Sequence, residues 1–215
     1  MTEAIFFDLW NTLLKCPTRL KVETMLEQLH LKGKTDYRSV MQAMDETIFR
    51  DPSYTIEGLA RKLCADYGVE CTEKMIEDAS KTWRSRLEET EYFPETEKVL
   101  SSLKKRYRLG LISNTDSSGA EFMKRMRLSR YFDKAIMSCE VGCAKPHGAI
   151  YDAALKALDV KSPGQAWMVG DSLDADVRGS SSAGMKAILV DRDSRHQRTD
   201  CNVVSNLEEI EGIIG

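Results

Sequence analysis

The chain has 215 residues, 42% of them hydrophobic and 30% charged, which suits a globular protein with room for one domain and an insertion. A net charge of −3, from 31 basic and 34 acidic side chains, gives no overall electrostatic case for nucleic acid or an anionic membrane as partner. No run approaches the roughly 18 apolar residues of a membrane span, and Asp8 interrupts the first apolar run before it could serve as a secretory leader.

Taken in order, the apolar run Ala4 to Phe7 predicts a buried parallel strand ending at an acid, Asp8. Asn11 and Thr12 follow in a polar turn. On this segment alone, Asp8 reads equally well as a turn cap or as a chemical group. From about Cys16 to Thr90 there is no strand signal, and helical spacing predicts four helices. They cover Thr18 to Leu31, Asp36 to Arg50 with Asp36 as N-cap, Thr55 to Tyr67 with a stop at Gly68, and Thr72 to Leu87. Such a run after a single strand predicts a helical insertion with its own small core.

Pro94 opens a helix to about Lys105, and strands then alternate with helices. Strands are predicted at Leu109 to Ile112, Ala135 to Met137, Ala166 to Val169 and Ala187 to Val190, with Val203 in a last short one. Helices are predicted at Ala120 to Met126, Ala149 to Leu158, Ala175 to Ala183 with a stop at Gly184, and Leu207 to Ile214. This alternation predicts an α/β fold, a Rossmann-like parallel sheet with helices on both faces. The core is placed at residues 1–15 and 91–215, and the helical domain at 16–90. The six cysteines form no C-x-x-C pair and no zinc spacing, so they read as reduced thiols of a cytoplasmic protein. The basic clusters at Lys104 to Arg106 and Lys124-Arg125 read as solvated surface. A monomer and a homodimer both remain open.

Parallel strands deliver their carboxyl ends to one rim, and there the chain places Asp8, Ser113-Asn114 and Gly170-Asp171, with Asp176 shortly beyond and Lys145 in a loop before a helix. Each has a plain reading as cap, turn or surface residue. Together, clustered carboxylates repel one another and call for a cation. Oxygen-only ligation favours Mg²⁺, which keeps waters and binds substrate phosphate. A carboxylate beside a metal-held phosphate is a reasonable nucleophile, and Lys145 would offset charge on the transferring group.

These segments resemble the four motifs of the haloacid dehalogenase superfamily. Phe7-Asp8-Leu9-Trp10-Asn11-Thr12-Leu13 is similar to the first and Ile112-Ser113-Asn114 to the second. Lys145-Pro146 with Ile150-Tyr151 resembles the third, and Val169-Gly170-Asp171-Ser172-Leu173 with Asp176-Val177 and Ala183-Gly184-Met185 the fourth. The resemblance implies a Mg²⁺-dependent hydrolase of a small phosphorylated metabolite, acting through an aspartyl-phosphate at Asp8. It makes Asp8 nucleophile and metal ligand, Asp171 the second side-chain ligand, and Asp176 an outer acid acting through water. It gives the metal Trp10's backbone carbonyl, and it makes Ser113 and the Asn114 amide the phosphate cradle and Lys145 the charge-neutralising lysine. The insertion resembles the family's helical cap, in which Arg50, Arg61, Trp83 and Arg86 are candidate substrate determinants.

One position departs from the family's phosphatases. Two residues after the nucleophile they carry a second aspartate, the general acid and base; here that place holds Trp10. Indole cannot donate that proton, a role typically worth about 10²–10⁴-fold. Asp116, His147 and Asp174 are nearby in sequence as substitutes. The departure keeps two alternatives open: a metal-independent 2-haloacid dehalogenase, and a low-activity or non-catalytic protein that binds a phosphorylated ligand or a partner.

Overall fold

The computed structural model describes residues 2–126, 128–196 and 200–215. Its centre is a six-stranded sheet of order β5-β4-β1-β6-β7-β8. The strands are β1 (Ala4–Phe7), β4 (Arg108–Ser113), β5 (Lys134–Met137), β6 (Ala166–Gly170), β7 (Lys186–Val190) and β8 (Asn202–Val204). Every pairing is parallel. β1 lies between β4 and β6, with Phe7 in register with Leu111 on one side and Val169 on the other.

Successive side chains of a strand point to opposite faces, and β1 buries both. Ile5 and Phe7 enter a cluster with Leu100 and Leu103 of α5 (Thr96–Leu103) and Ala120 and Met123 of α6 (Ser117–Arg125). Ala4 and Phe6 enter another with Ile150, Tyr151 and Ala154 of α8 (Gly148–Ala157). Helices therefore cover both faces, as the alternation predicts.

The long stretch between β1 and α5 holds α1 (Thr18–Gln28), α2 (Tyr37–Glu46), α3 (Ile56–Asp66) and α4 (Glu73–Ser85). Asp36, Thr55 and Thr72 cap the last three by accepting from Ser39, Gly58 and Met75 amides. The helices share a buried cluster that includes Val22, Met44, Leu63 and Trp83. Ala144, next to Lys145, belongs to the same cluster, so the helical unit packs on the loop that carries the lysine. The chain leaves the sheet region through β2 (Leu14–Lys15) and returns through β3 (Glu91–Tyr92), which pair antiparallel. This two-stranded ribbon carries too few residues to show a period in the sequence.

Three further details depart from the sequence reading. Ala175 to Ala183 is not one α-helix: Leu173–Arg178 is a π-helical turn, and a short α9 (Gly179–Ser182) follows. A short α7 (Ser138–Val141) follows β5 and ends at Gly142 in a left-handed conformation. Cys64 and Cys71 are joined as a disulfide, with Cα atoms 6.2 Å apart, so the reading of six reduced thiols is corrected at that pair. The turn closing α3 folds the chain back, Val69 N donating to Cys64 O at 2.8 Å, and that brings the two residues together. Cys16, Cys139, Cys143 and Cys201 are free. Among the described residues, no helix is long and apolar enough to cross a membrane.

Gly110 of β4 sits in register with Phe6, whose ring occupies the space a Cβ would take. Gly110→Ala is expected to destabilise the protein by about 1–3 kcal/mol through overpacking. Urea unfolding would show this as a lower midpoint at constant m. An unchanged midpoint would mean that the Phe6 ring moves aside freely.

Candidate active site

Because β1 ends beside β4 and β6, the predicted residues gather at one rim. Asp8 is tethered by its own backbone, its N–H donating to Val169 O at 2.8 Å. Its side chain accepts from Thr12 Oγ1 at 3.1 Å and from Lys145 Nζ at 2.7 Å. Lys145 also donates to Asp176 at 2.6 Å, and all three of these charged groups are buried. Asp176 reaches the rim because Ser172 caps the π-helical turn by accepting from the Ala175 amide, and its own amide donates to Asp176 Oδ2 at 3.0 Å. Gly170 leaves the space that the Asp176 carboxyl fills.

Asp8, Asp171 and Asp176 each present a carboxylate oxygen, and these oxygens lie within 4.8 Å of one another. Three acids therefore crowd one buried ammonium, which pairs with Asp8 and Asp176, while the exposed Arg195 comes within 3.5 Å of Asp171. Burial raises the Asp8 carboxyl to about 6, with Asp176 adding to the shift and Lys145 opposing it. Burial together with Asp8 and Asp176 raises Asp171 further, to about 8. Burial disfavours the charge on Lys145, but Asp176 and Asp8 outweigh it and hold its pKa above the usual value. The donor set, oxygen-only and short of positive charge, fits a hard divalent cation such as Mg²⁺.

Ser113 is fully buried at the end of β4, and its hydroxyl has no hydrogen-bond partner. A buried orphan hydroxyl costs free energy, which a ligand oxygen would offset. Ser113 itself does not line the cavity described below; Asn114 does. The Asn114 side chain clasps the lysine loop from both directions: Lys145 N donates to its Oδ1 at 2.7 Å, and its Nδ2 donates to Lys145 O at 2.8 Å. The same Nδ2 reaches Asp45 of α2 at 3.2 Å.

A cavity of about 540 Å³ opens between the rim and the helical unit, within the range of small-ligand sites. Asp8, Asp171, Asp176 and Lys145 line its floor, and Tyr37, Asp45, Trp83 and Arg86 come from the helical unit. Of the four candidate substrate determinants, Trp83 and Arg86 line this cavity. Arg61 is exposed and paired with Glu73, and Arg50 is exposed. Asp45 escaped the sequence reading. It lies on a helix whose apolar stripe draws attention to Val40 and Met44 instead.

Trp10 lines the cavity and stacks on Phe122, ring centroids 6.3 Å apart. The Arg86 guanidinium sits 3.8 Å from the Trp83 ring centroid and 5.9 Å from that of Trp10. It pairs with Asp116 at 2.8 Å, and Trp83 Nε1 donates to the other oxygen of Asp116 at 2.6 Å. Burial pulls the Asp116 carboxyl up, but Arg86 and donors from Trp83, Gly119 and Ser118 outweigh it and hold the pKa below the usual value. Asp116 is thus a locked carboxylate, unsuited to the proton-donor place suggested by its position in sequence. His147 is exposed and caps α8, accepting from the Ala149 amide. Asp174 is exposed and paired with Arg178 at 2.5 Å.

The comparisons with known proteins agree with this geometry. A family model described as haloacid dehalogenase-like hydrolase matches residues 2–184. The chain belongs to this family. A curated relative from Pyrococcus abyssi, named glyceraldehyde 3-phosphate phosphatase, is 30% identical over 87% of this chain and 81% of its own. One of the same name from Methanothermobacter thermautotrophicus is 38% identical over 110 residues, 50% of this chain and about half (48%) of that one. A solved 2-haloacid dehalogenase from Pseudomonas syringae pv. Tomato superposes with a TM-score of 0.69 at 23% identity, covering 100% of this chain and 98% of the other, which speaks to the fold. By family the chain is a hydrolase.

The Arg86–Asp116 pair crosses from the helical unit to the rim with both side chains buried. Asp116→Ala is expected to cost about 3–5 kcal/mol, because it strands a buried cation, and the double variant Arg86→Leu/Asp116→Ala is expected to recover a large part of that. Equilibrium denaturation of both variants checks this. A double variant less stable than Asp116→Ala would show that Arg86 contributes chiefly through packing on the two indoles.

Proposed function

We propose that the protein is a Mg²⁺-dependent phosphohydrolase of a small phosphorylated metabolite, working through a phosphoenzyme on Asp8. The observation that carries this reading is the charge imbalance at the rim: three acids with oxygens within 4.8 Å of one another, against one buried lysine and the exposed Arg195, 3.5 Å from Asp171. A metal-independent reaction brings no cation to offset the repulsion among these acids. The relatives named glyceraldehyde 3-phosphate phosphatase support a small phosphorylated substrate.

In this reading Asp8 and Asp171 hold the cation directly, with Trp10 offering its backbone carbonyl and Asp176 acting through a bound water. When bound, the cation would offset the repulsion between the carboxylates and the substrate phosphate. The Ser113 hydroxyl and Asn114 amide hold phosphate oxygens. Lys145 balances charge on the transferring group while keeping the Asp8 oxygen oriented. An Asp8 oxygen attacks phosphorus, the bond to the leaving oxygen breaks, and water later hydrolyses the aspartyl-phosphate. The helical unit, residues 16–90, serves as a cap that closes over the cavity and shapes its choice of substrate.

Hydrolysis of an activated aryl phosphate tests the reading. Wild type is expected to turn over with Mg²⁺ and to stop on chelation, and Asp8→Asn to lose several orders of magnitude in kcat. Metal-independent halide release from a 2-haloacid, with no phosphate released from the ester, would replace this reading with the dehalogenase one.

A further inference from the structure

Attack on an alkyl phosphate expels an alkoxide, a poor leaving group that needs a proton as the P–O bond breaks. The position that would carry the proton donor holds Trp10, stacked on Phe122 and unable to serve. In-line attack by Asp8 places the leaving oxygen on the far side of phosphorus, away from the sheet and toward the helical unit. The donor must therefore stand on that side of the cavity.

We infer that Asp45 of α2 is the general acid and base of this enzyme, taking the place that Trp10 vacates. It lines the same cavity as Asp8 and comes from the helical unit. Asn114 Nδ2 holds it at 3.2 Å while gripping the backbone of Lys145, whose Nζ lies 2.7 Å from Asp8. Asp45 thus stands two hydrogen-bonded residues from the nucleophile without belonging to the carboxylate set at the rim. Burial raises its carboxyl to about 6, against the opposing Arg50 and the Asn114 hydrogen bond, which brings it nearer to neutrality than an ordinary carboxyl.

The other titratable side chains at or beside the cavity are worse placed for this role. Asp116 is locked to Arg86 and Trp83, and Asp174 is exposed and bound to Arg178. Burial makes the Tyr37 phenol hold its proton even more tightly than usual. His196 stands on the sheet side, where its amide donates to Asp191 at the end of β7.

The inference rests on the phosphohydrolase reading, and its chemistry balances. In the first half, Asp8 forms a bond to phosphorus, the bond to the alkoxy oxygen breaks, and that oxygen takes the Asp45 proton to leave as an alcohol. In the second, the Asp45 carboxylate takes a proton from water as the water oxygen bonds phosphorus. The bond to Asp8 breaks, phosphate departs, and both side chains return to their starting states.

The test compares an alkyl phosphate, glyceraldehyde 3-phosphate, with an aryl phosphate of good leaving group, p-nitrophenyl phosphate, in the presence of Mg²⁺. Asp45→Asn is expected to lower kcat on the alkyl ester by about 10²–10⁴-fold and on the aryl ester by at least ten times less. Across a series of aryl phosphates, its rates should fall more steeply with leaving-group pKa than those of wild type. Equal losses on both esters would overturn the inference in favour of a positioning or structural role. So would a differential loss that appears in His196→Gln or Tyr37→Phe and not in Asp45→Asn. Wild type inert toward both esters would overturn the phosphohydrolase reading and this inference together. An active wild type matched by Asp45→Asn on both would overturn this inference alone.

Discussion

Lys145 lies between Asp8 and Asp176, at 2.7 and 2.6 Å, and much of the rim is arranged around that one buried ammonium. A buried charge is tolerated only when it is paired and hydrogen-bonded. Here two carboxylates pair with it, and Asn114 fixes the backbone that carries it. With Asp171 added, and the exposed Arg195 3.5 Å from it, three acids still face only two cations. Burial and mutual repulsion lift both Asp8 and Asp171 above their ordinary range. A site that holds like charges together without a full counter-charge is prepared for a cation and an anionic ligand.

The fold supplies that concentration through two simple devices. Parallel strands present their carboxyl ends on one side, so β1, β4 and β6 each deliver a residue to the same rim. The π-helical turn after β6 then brings Asp176 back over Gly170 rather than letting it run outward along a regular helix. The disposition of the helical unit is equally specific. Its core extends onto Ala144 beside the lysine, and Arg86 descends between two indoles to meet Asp116. Trp10 belongs to that seam. An acid at this position would lack the flat apolar surface that stacks on Phe122 and faces Arg86. The substitution exchanges a titratable group on the sheet side for a packed junction between the two parts of the chain.

Much of this was legible in the residues alone, because the signals are local. Ala4 to Phe7 is apolar without alternation, which marks a strand buried on both faces, and the acid that ends it marks a rim. Asp36, Thr55 and Thr72 announce helix starts by the chemistry of a capping oxygen. The order of Asp8, Asn114, Lys145 and Asp171 along the chain, each beside a strand end or helix start, was sufficient to bring them to one rim of the sheet. The capping reading of Asp8 was incomplete: Thr12 does donate to it, but so does Lys145 from 137 residues away.

What the chain determined by itself is therefore the parallel sheet, the helical insertion and the residues at the strand ends, because each follows from periodicity or from a residue's own preference. Tertiary structure alone decided which side chains meet across the insertion. Asp45 and Asn114 are 69 residues apart, and Arg86 and Asp116 are 30 apart, so no local pattern connects them. It also turned Leu173–Arg178 into a π-helix. In each case the outcome depends on how elements pack, since partners are chosen by proximity in space and the one-dimensional pattern carries no record of that distance.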